Sequence, residues 1–161
     1  KSFAQRVSGF DVSTLCYDIL DNVEDENALQ VSMEELMTKS EVISIHTPHT
    51  PITRGIIDYK FIEEMNHSFW LLNTARGSAV VTEDLVTGLQ SGKIMGAGLD
   101  VLEYETRSFS SIFNDDKLPL ALEYLIQAKN VILSPHVGGW TRESQIKLAT
   151  TIVEKIKKIF F

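Results

Sequence analysis

A guanidinium, a pair of carboxylates and an imidazole each follow a short apolar run in this chain. Arg76 lies in Asn73-Thr74-Ala75-Arg76-Gly77, and Asp100 and Glu105 lie in Gly98-Leu99-Asp100-Val101-Leu102-Glu103-Tyr104-Glu105. His136 lies in Ser134-Pro135-His136-Val137-Gly138-Gly139-Trp140. A guanidinium offers paired donors to a carboxylate. An imidazole exchanges a proton near neutral pH. The set suits taking hydrogen from a hydroxy acid, or adding it to a keto acid.

Bringing residues this far apart together requires a scaffold, and the apolar pattern supplies one. Strands are predicted over 12–17, 41–46, 69–73, 94–99 and 131–133. Between them lie helical stretches: one ending near Gly9, one opened by the capping-box sequence Ser32-Met33-Glu34-Glu35, and others over 58–65, 82–92 and 121–126. The polar stretch 21–30 reads as a loop. From Thr141 the spacing of Ile146, Ala149, Ile152, Val153, Ile156 and Ile159 predicts one long helix. Strands alternating with helices imply an α/β fold with a doubly wound parallel sheet. Right-handed crossovers then place every strand's carboxyl end on one rim, where ligands bind.

Composition narrows the function. The 161 residues carry a net charge of −7, which argues against nucleic acid as a partner, because binding phosphates needs a basic face. No apolar run approaches the ~20 residues that span a bilayer. No segment reads as a secretory leader, so a cytoplasmic location is expected. The single cysteine, Cys16, sits in an apolar run and reads as a small buried hydrophobe. His46, His49 and His67 have no supporting context and read as structural or solvated. No cluster has metal-ligand spacing.

The three phrases resemble those of the D-isomer-specific 2-hydroxyacid dehydrogenases, an NAD-dependent family, over nearly the whole chain. The run from Ser134 to Thr141 is most similar to the bacterial D-3-phosphoglycerate dehydrogenase type. The resemblance implies a Rossmann-like fold and hydride transfer between NAD and a D-2-hydroxy acid or its 2-keto acid. It implies that Arg76 grips the substrate carboxylate, that His136 is the acid/base, and that Glu105 holds the imidazole and favours its protonated form. Glu103 lies two residues from Glu105 on the same loop, and the family spacing from Asp100 favours Glu105. Cofactor contacts are implied for Asp18, Thr47, Pro48, Thr53, Thr74, Ala75, Arg76 and Asp100. Asp18 would accept from the adenosine ribose hydroxyls and repel a 2′-phosphate, so NAD is expected over NADP. A homodimer is also implied, with 104–119 as a contributor to its interface.

The departure from the family pattern carries its own expectation. A dinucleotide fold opens with a strand and Gly-x-Gly-x-x-Gly, which cradles the pyrophosphate. The chain contains no such motif, and residues 1–7 look like the helix that follows it. The expectation is a partial NAD-binding domain over 1–140, lacking its first strand and glycine-rich loop. A helix over 141–161 would lead back toward an absent substrate domain. Neighbours of a missing central strand would lose about 1–3 kcal/mol per unpaired buried group. The total stability of a domain is only about 5–15 kcal/mol. Part of a longer protein is therefore expected. Two alternatives stay open: a non-catalytic, NAD-sensing, corepressor-like module, and an inactive fragment of the enzyme.

Overall fold

Parallel pairing organises the chain into two sheets. The computed structural model describes residues 1–105 and 118–160. Helix α1 (Ser2–Val7) runs into a single 3-10 turn, Ser8–Phe10, and is followed by β1 (Leu15–Cys16) and β2 (Leu29–Gln30). These two strands pair in parallel as a sheet of their own. Next come α2 (Met33–Lys39), β3 (Val42–Ile45), α3 (Tyr59–Glu64) and β4 (Phe69–Asn73). Helix α4 (Thr82–Ser91), β5 (Ile94–Leu99), α5 (Leu120–Gln127), β6 (Val131–Leu133) and α6 (Arg142–Phe160) complete the order. Strands β3-β4-β5-β6 form a four-stranded parallel sheet in sequence order. The architecture is α/β, as the alternating pattern implies.

Local chemistry sets the element ends. Ser32 caps α2, its hydroxyl accepting from the Glu35 N–H at 3.1 Å. Asp58 does the same for α3 through the Phe61 N–H at 2.9 Å. Gly92 closes α4 with a left-handed φ of 76°, a conformation that costs glycine nothing.

Alternation along β4 decides where the core lies. Phe69, Leu71 and Asn73 are buried while Trp70 is exposed, so one sheet face packs inward. Phe69, Leu71 and Ile94 are fully buried, and Phe61 and Ile62 of α3, Leu85 and Leu89 of α4 and Leu125 of α5 join the same cluster. On the opposite face Trp70 and Ile132 remain exposed. Gly96 is needed there, since a Cβ would collide with the Trp70 ring.

The structure departs from the predicted elements in two places. The strand expected over 12–17 pairs only at Leu15–Cys16, and the expected loop over 21–30 contains β2 at its end. Both strands are two residues long, too short to leave a periodic signal. Cys16 is half-buried, and burial with the Asp25 carboxylate nearby pushes its thiol up, away from thiolate chemistry. Of the interface segment expected over 104–119, residues 106–117 lie outside the described residues. No residue of α6 is buried among those described.

Candidate active site

Strands β4, β5 and β6 end side by side on one rim, and each hands the chain to one of the three phrases. Asn73 closes β4 and is fully buried. Its Oδ1 accepts from the Ala75 N–H at 3.1 Å, and its Nδ2 donates to the Arg76 carbonyl at 3.0 Å. Both ends of the amide are used to shape the turn that presents Arg76. The Arg76 side chain is exposed, with Nη1 donating to the Ala75 carbonyl at 2.6 Å. Gly77 follows because the Leu102 carbonyl passes directly over it, leaving no room for a Cβ.

Asp100 closes β5 and governs the neighbouring loop. Only 6% of it is exposed, and its oxygens accept from Ser134 Oγ at 2.6 Å, from the Val137 N–H at 2.9 Å and from the Gly138 N–H at 2.8 Å. Burial alone would raise its pKa. The three donors and the nearby His136 outweigh burial and hold the carboxyl below its ordinary value. These bonds bracket His136, whose φ of 53° puts it in the left-handed region that a side chain rarely adopts. Asp100, which the family resemblance implies as a cofactor contact, accepts its bonds here from the loop that carries His136.

His136 meets Glu105. Its Nδ1 lies 2.7 Å from Glu105 Oε2, and each side chain is about one-third exposed, so the pair is reachable from solvent. The second carboxylate oxygen accepts from the Leu102 N–H at 2.9 Å, while the Glu105 N–H donates back to the Leu102 carbonyl at 3.1 Å. Glu105 is therefore oriented at both oxygens. Glu103 is engaged elsewhere: its Oε2 accepts from the N–H and the hydroxyl of Thr82.

The loops after β3 and β4 enclose an open cleft of about 390 Å³ lined by His46, Thr47, Pro48, Thr74, Ala75 and Arg76. Five of these were singled out in the sequence. Thr53 stands behind them, its hydroxyl donating to the Pro48 carbonyl at 2.6 Å and accepting from the Thr50 N–H at 3.0 Å, so it braces the loop. His46 is a lining residue that sequence reasoning set aside. Its Nε2 lies 3.0 Å from Ser44 Oγ, and its ring packs against Phe3 at 4.9 Å. His49, also set aside, bridges the two loops through Nδ1 and Ser78 Oγ at 2.8 Å.

Asp18 lies two residues past β1 and is exposed, with one oxygen accepting from the Leu20 N–H at 3.0 Å. Gln30 of β2 braces the loop that follows. Its Oε1 accepts from the Val23 N–H at 3.1 Å, and its Nε2 donates to the Leu20 carbonyl at 2.7 Å. Among the described residues no cluster of His, Cys, Asp or Glu could hold a metal ion.

The donor set suits a dinucleotide. Thr47 Oγ1 is buried beside the cleft with no hydrogen-bond partner in the protein, and such an atom calls for one.

Comparison with known proteins decides the family. Residues 1–138 match the NAD binding domain of the D-isomer specific 2-hydroxyacid dehydrogenases. The chain belongs to this family.

The chain is 35% identical to a hydroxypyruvate reductase of Blautia hydrogenotrophica, over 91% of this chain and 42% of the relative. It is 34% identical to a D-3-phosphoglycerate dehydrogenase of Haemophilus influenzae, over 88% of this chain and 33% of the relative. Among solved structures it superposes on the NAD complex of a D-isomer specific 2-hydroxyacid dehydrogenase from Lactobacillus delbrueckii ssp. bulgaricus. That match has a TM-score of 0.83 and 31% identity, and covers 96% of this chain and 48% of the other. The chain thus spans less than half the length of these relatives. The fold is that of a Rossmann-like, NAD-binding dehydrogenase domain.

Proposed function

We propose that the complete protein carrying this domain is an oxidoreductase that transfers a hydride between NAD and a D-2-hydroxy acid or 2-keto acid. The observation that carries this reading is the 2.7 Å His136–Glu105 contact on the rim that also presents Arg76. NAD, when bound, supplies or accepts the hydride. Arg76 binds the substrate carboxylate through its forked donors. Glu105 holds His136 at Nδ1, and Nε2 exchanges the proton. In reduction that nitrogen gives its proton to the keto oxygen; in oxidation it takes the hydroxyl proton.

Thr47, Pro48, Thr74 and Ala75 would hold the cofactor at the cleft, with Thr53 bracing their loop. Asp18 would take the adenosine ribose. The Asp100 carboxylate lies beside the same rim, and any contact with the nicotinamide would add to its bonds within the His136 loop. Residues 1–140 act as the cofactor domain, and 141–161 lead toward a substrate domain. D-3-phosphoglycerate is one substrate this reading allows. The relatives bear different substrate names at nearly equal identity, so identity alone does not choose among substrates.

A cytoplasmic homodimer is part of the proposal. No described helix is long and apolar enough to cross a membrane, and the net charge of −7 disfavours nucleic acid. Light scattering and cell fractionation test these points.

The deciding experiment follows NADH consumption by the complete protein with a panel of 2-keto acids. Arg76→Ala and His136→Ala are expected to abolish turnover, while His136→Ala retains NAD binding. Unchanged turnover in either variant overturns the assignment. NADH-dependent capture of a partner with no turnover on any keto acid would favour a sensing module instead.

A further inference from the structure

Helix α4 begins without a cap of its own. Val81 stands at its N-cap position and offers no side-chain acceptor, while Thr82, the first helical residue, is only 3% exposed. An amide at that position has no partner within the helix. The acceptor comes from the rim loop. Glu103 Oε2 takes the Thr82 N–H and the Thr82 hydroxyl, each at 3.0 Å. A carboxylate there also meets the positive end of the helix dipole.

Two further contacts fasten the same loop. Tyr104 donates its hydroxyl to Glu83 Oε1 at 3.1 Å in the first turn of α4. Burial and the Glu83 carboxylate push its phenol up to about 12, so it stays a donor. The Leu102 carbonyl lies over Gly77, where no side chain could fit. Residues 103 and 104 are each hydrogen-bonded to the first turn of α4 just before Glu105 reaches His136.

We propose that Glu103 is a positioning residue for the proton-transfer pair: by capping α4 through Thr82, it holds the loop in which Glu105 meets His136. This rests on the dehydrogenase reading above. The Glu103 carboxylate binds Thr82. Its effect passes through the backbone of its own loop.

The test uses the complete protein with Glu103→Ala, Glu103→Gln and Thr82→Val. Glu103→Ala is expected to lower kcat on the order of a hundredfold, because small misplacement of a catalytic group is that costly. KM for NAD should stay unchanged. Glu103→Gln should recover most of the turnover, since an amide oxygen can accept both Thr82 bonds. Thr82→Val removes one of the two donors, and should lower kcat in the same direction by less.

A second readout is the downfield Nδ1 proton resonance of His136, identified by its loss in His136→Ala. It should vanish in Glu103→Ala and return in Glu103→Gln. A lower Tm with kcat and resonance both unchanged overturns the proposal, leaving Glu103 a helix cap and nothing more. A folded Glu103→Gln as slow as Glu103→Ala also overturns it. Absence of turnover in the unsubstituted protein would sink the dehydrogenase reading instead, and the resonance alone would then decide whether Glu103 holds the pair.

Discussion

Gly138 donates its N–H to Asp100 Oδ2 at 2.8 Å, at a point where a Cβ on residue 138 would lie only 2.8 Å from the same oxygen. The bond and the absence of a side chain are one requirement. The carboxylate cannot retreat freely, because Ser134 and Val137 hold its other oxygen.

Gly138→Ala is therefore expected to break the bond and disturb the loop that carries His136. Leaving a buried carboxylate short of a donor costs about 1–3 kcal/mol. Urea unfolding of the complete protein measures this, and turnover should fall with it. An unchanged midpoint would mean that the loop relaxes without loss.

Asp100 also sets an acid sensitivity. Burial opposes its charge, but the Ser134, Gly138 and Val137 donors and His136 prevail, and its folded pKa lies below the ordinary one. Such a group stabilises the fold at pH above the ordinary aspartate value, about 4, and the contribution is lost as pH falls through the folded pKa. The stability gap between the natural protein and Asp100→Asn should thus narrow below about pH 4. A gap that stays constant down to acid unfolding would contradict this.

Asn73→Leu removes both bonds that shape the Arg76 turn while keeping the branched shape of the side chain. It orphans the Ala75 N–H, at a cost of about 1–3 kcal/mol if that group stays buried, and leaves the Arg76 carbonyl the Ala79 N–H at 3.1 Å. Because Arg76 is the proposed substrate grip, KM for the keto acid should rise more than KM for NAD. Equal rises in both would show a general loss of structure.

Gln30→Ala frees the loop after Asp18 by removing its bonds to Leu20 and Val23. Affinity for NAD should drop, with kcat at saturating cofactor retained. Calorimetric titration with NAD checks this; unaltered affinity would detach Asp18 from the adenosine site.

Much of the scaffold is legible in the amino-acid order. Strands β4, β5 and β6 have the bounds that their apolar runs predict, because runs of five, six and three mostly apolar residues leave a continuous signal. Strand β2 is invisible for the opposite reason: Leu29 and Gln30 pair with β1 inside a polar stretch. At the site, the spacing of the family that the chain resembles favours Glu105 over Glu103 as the partner of His136, and the contact lies at Glu105. What spacing could not convey is the work of Glu103, whose partner Thr82 is 21 residues away. The saturation of Asp100 by residues 134–138 was hidden likewise. His46 could have been marked from its place just before Thr47 and Pro48, at the end of a predicted strand. Local pattern reports which residues reach the rim, and contacts across the rim decide what each one holds.

The borrowed cap on α4 has a kinetic consequence. A helix that carries its own cap can begin its first turn from nearby residues alone, as α2 does with Ser32. The opening turn of α4 waits for a carboxylate from beyond β5, so its closure entropy is met only once that strand has docked. Substitutions at Glu103 should accordingly speed unfolding more than they slow folding, giving φ-values near zero. The amide of Thr82 would be among the last in α4 to gain protection during refolding.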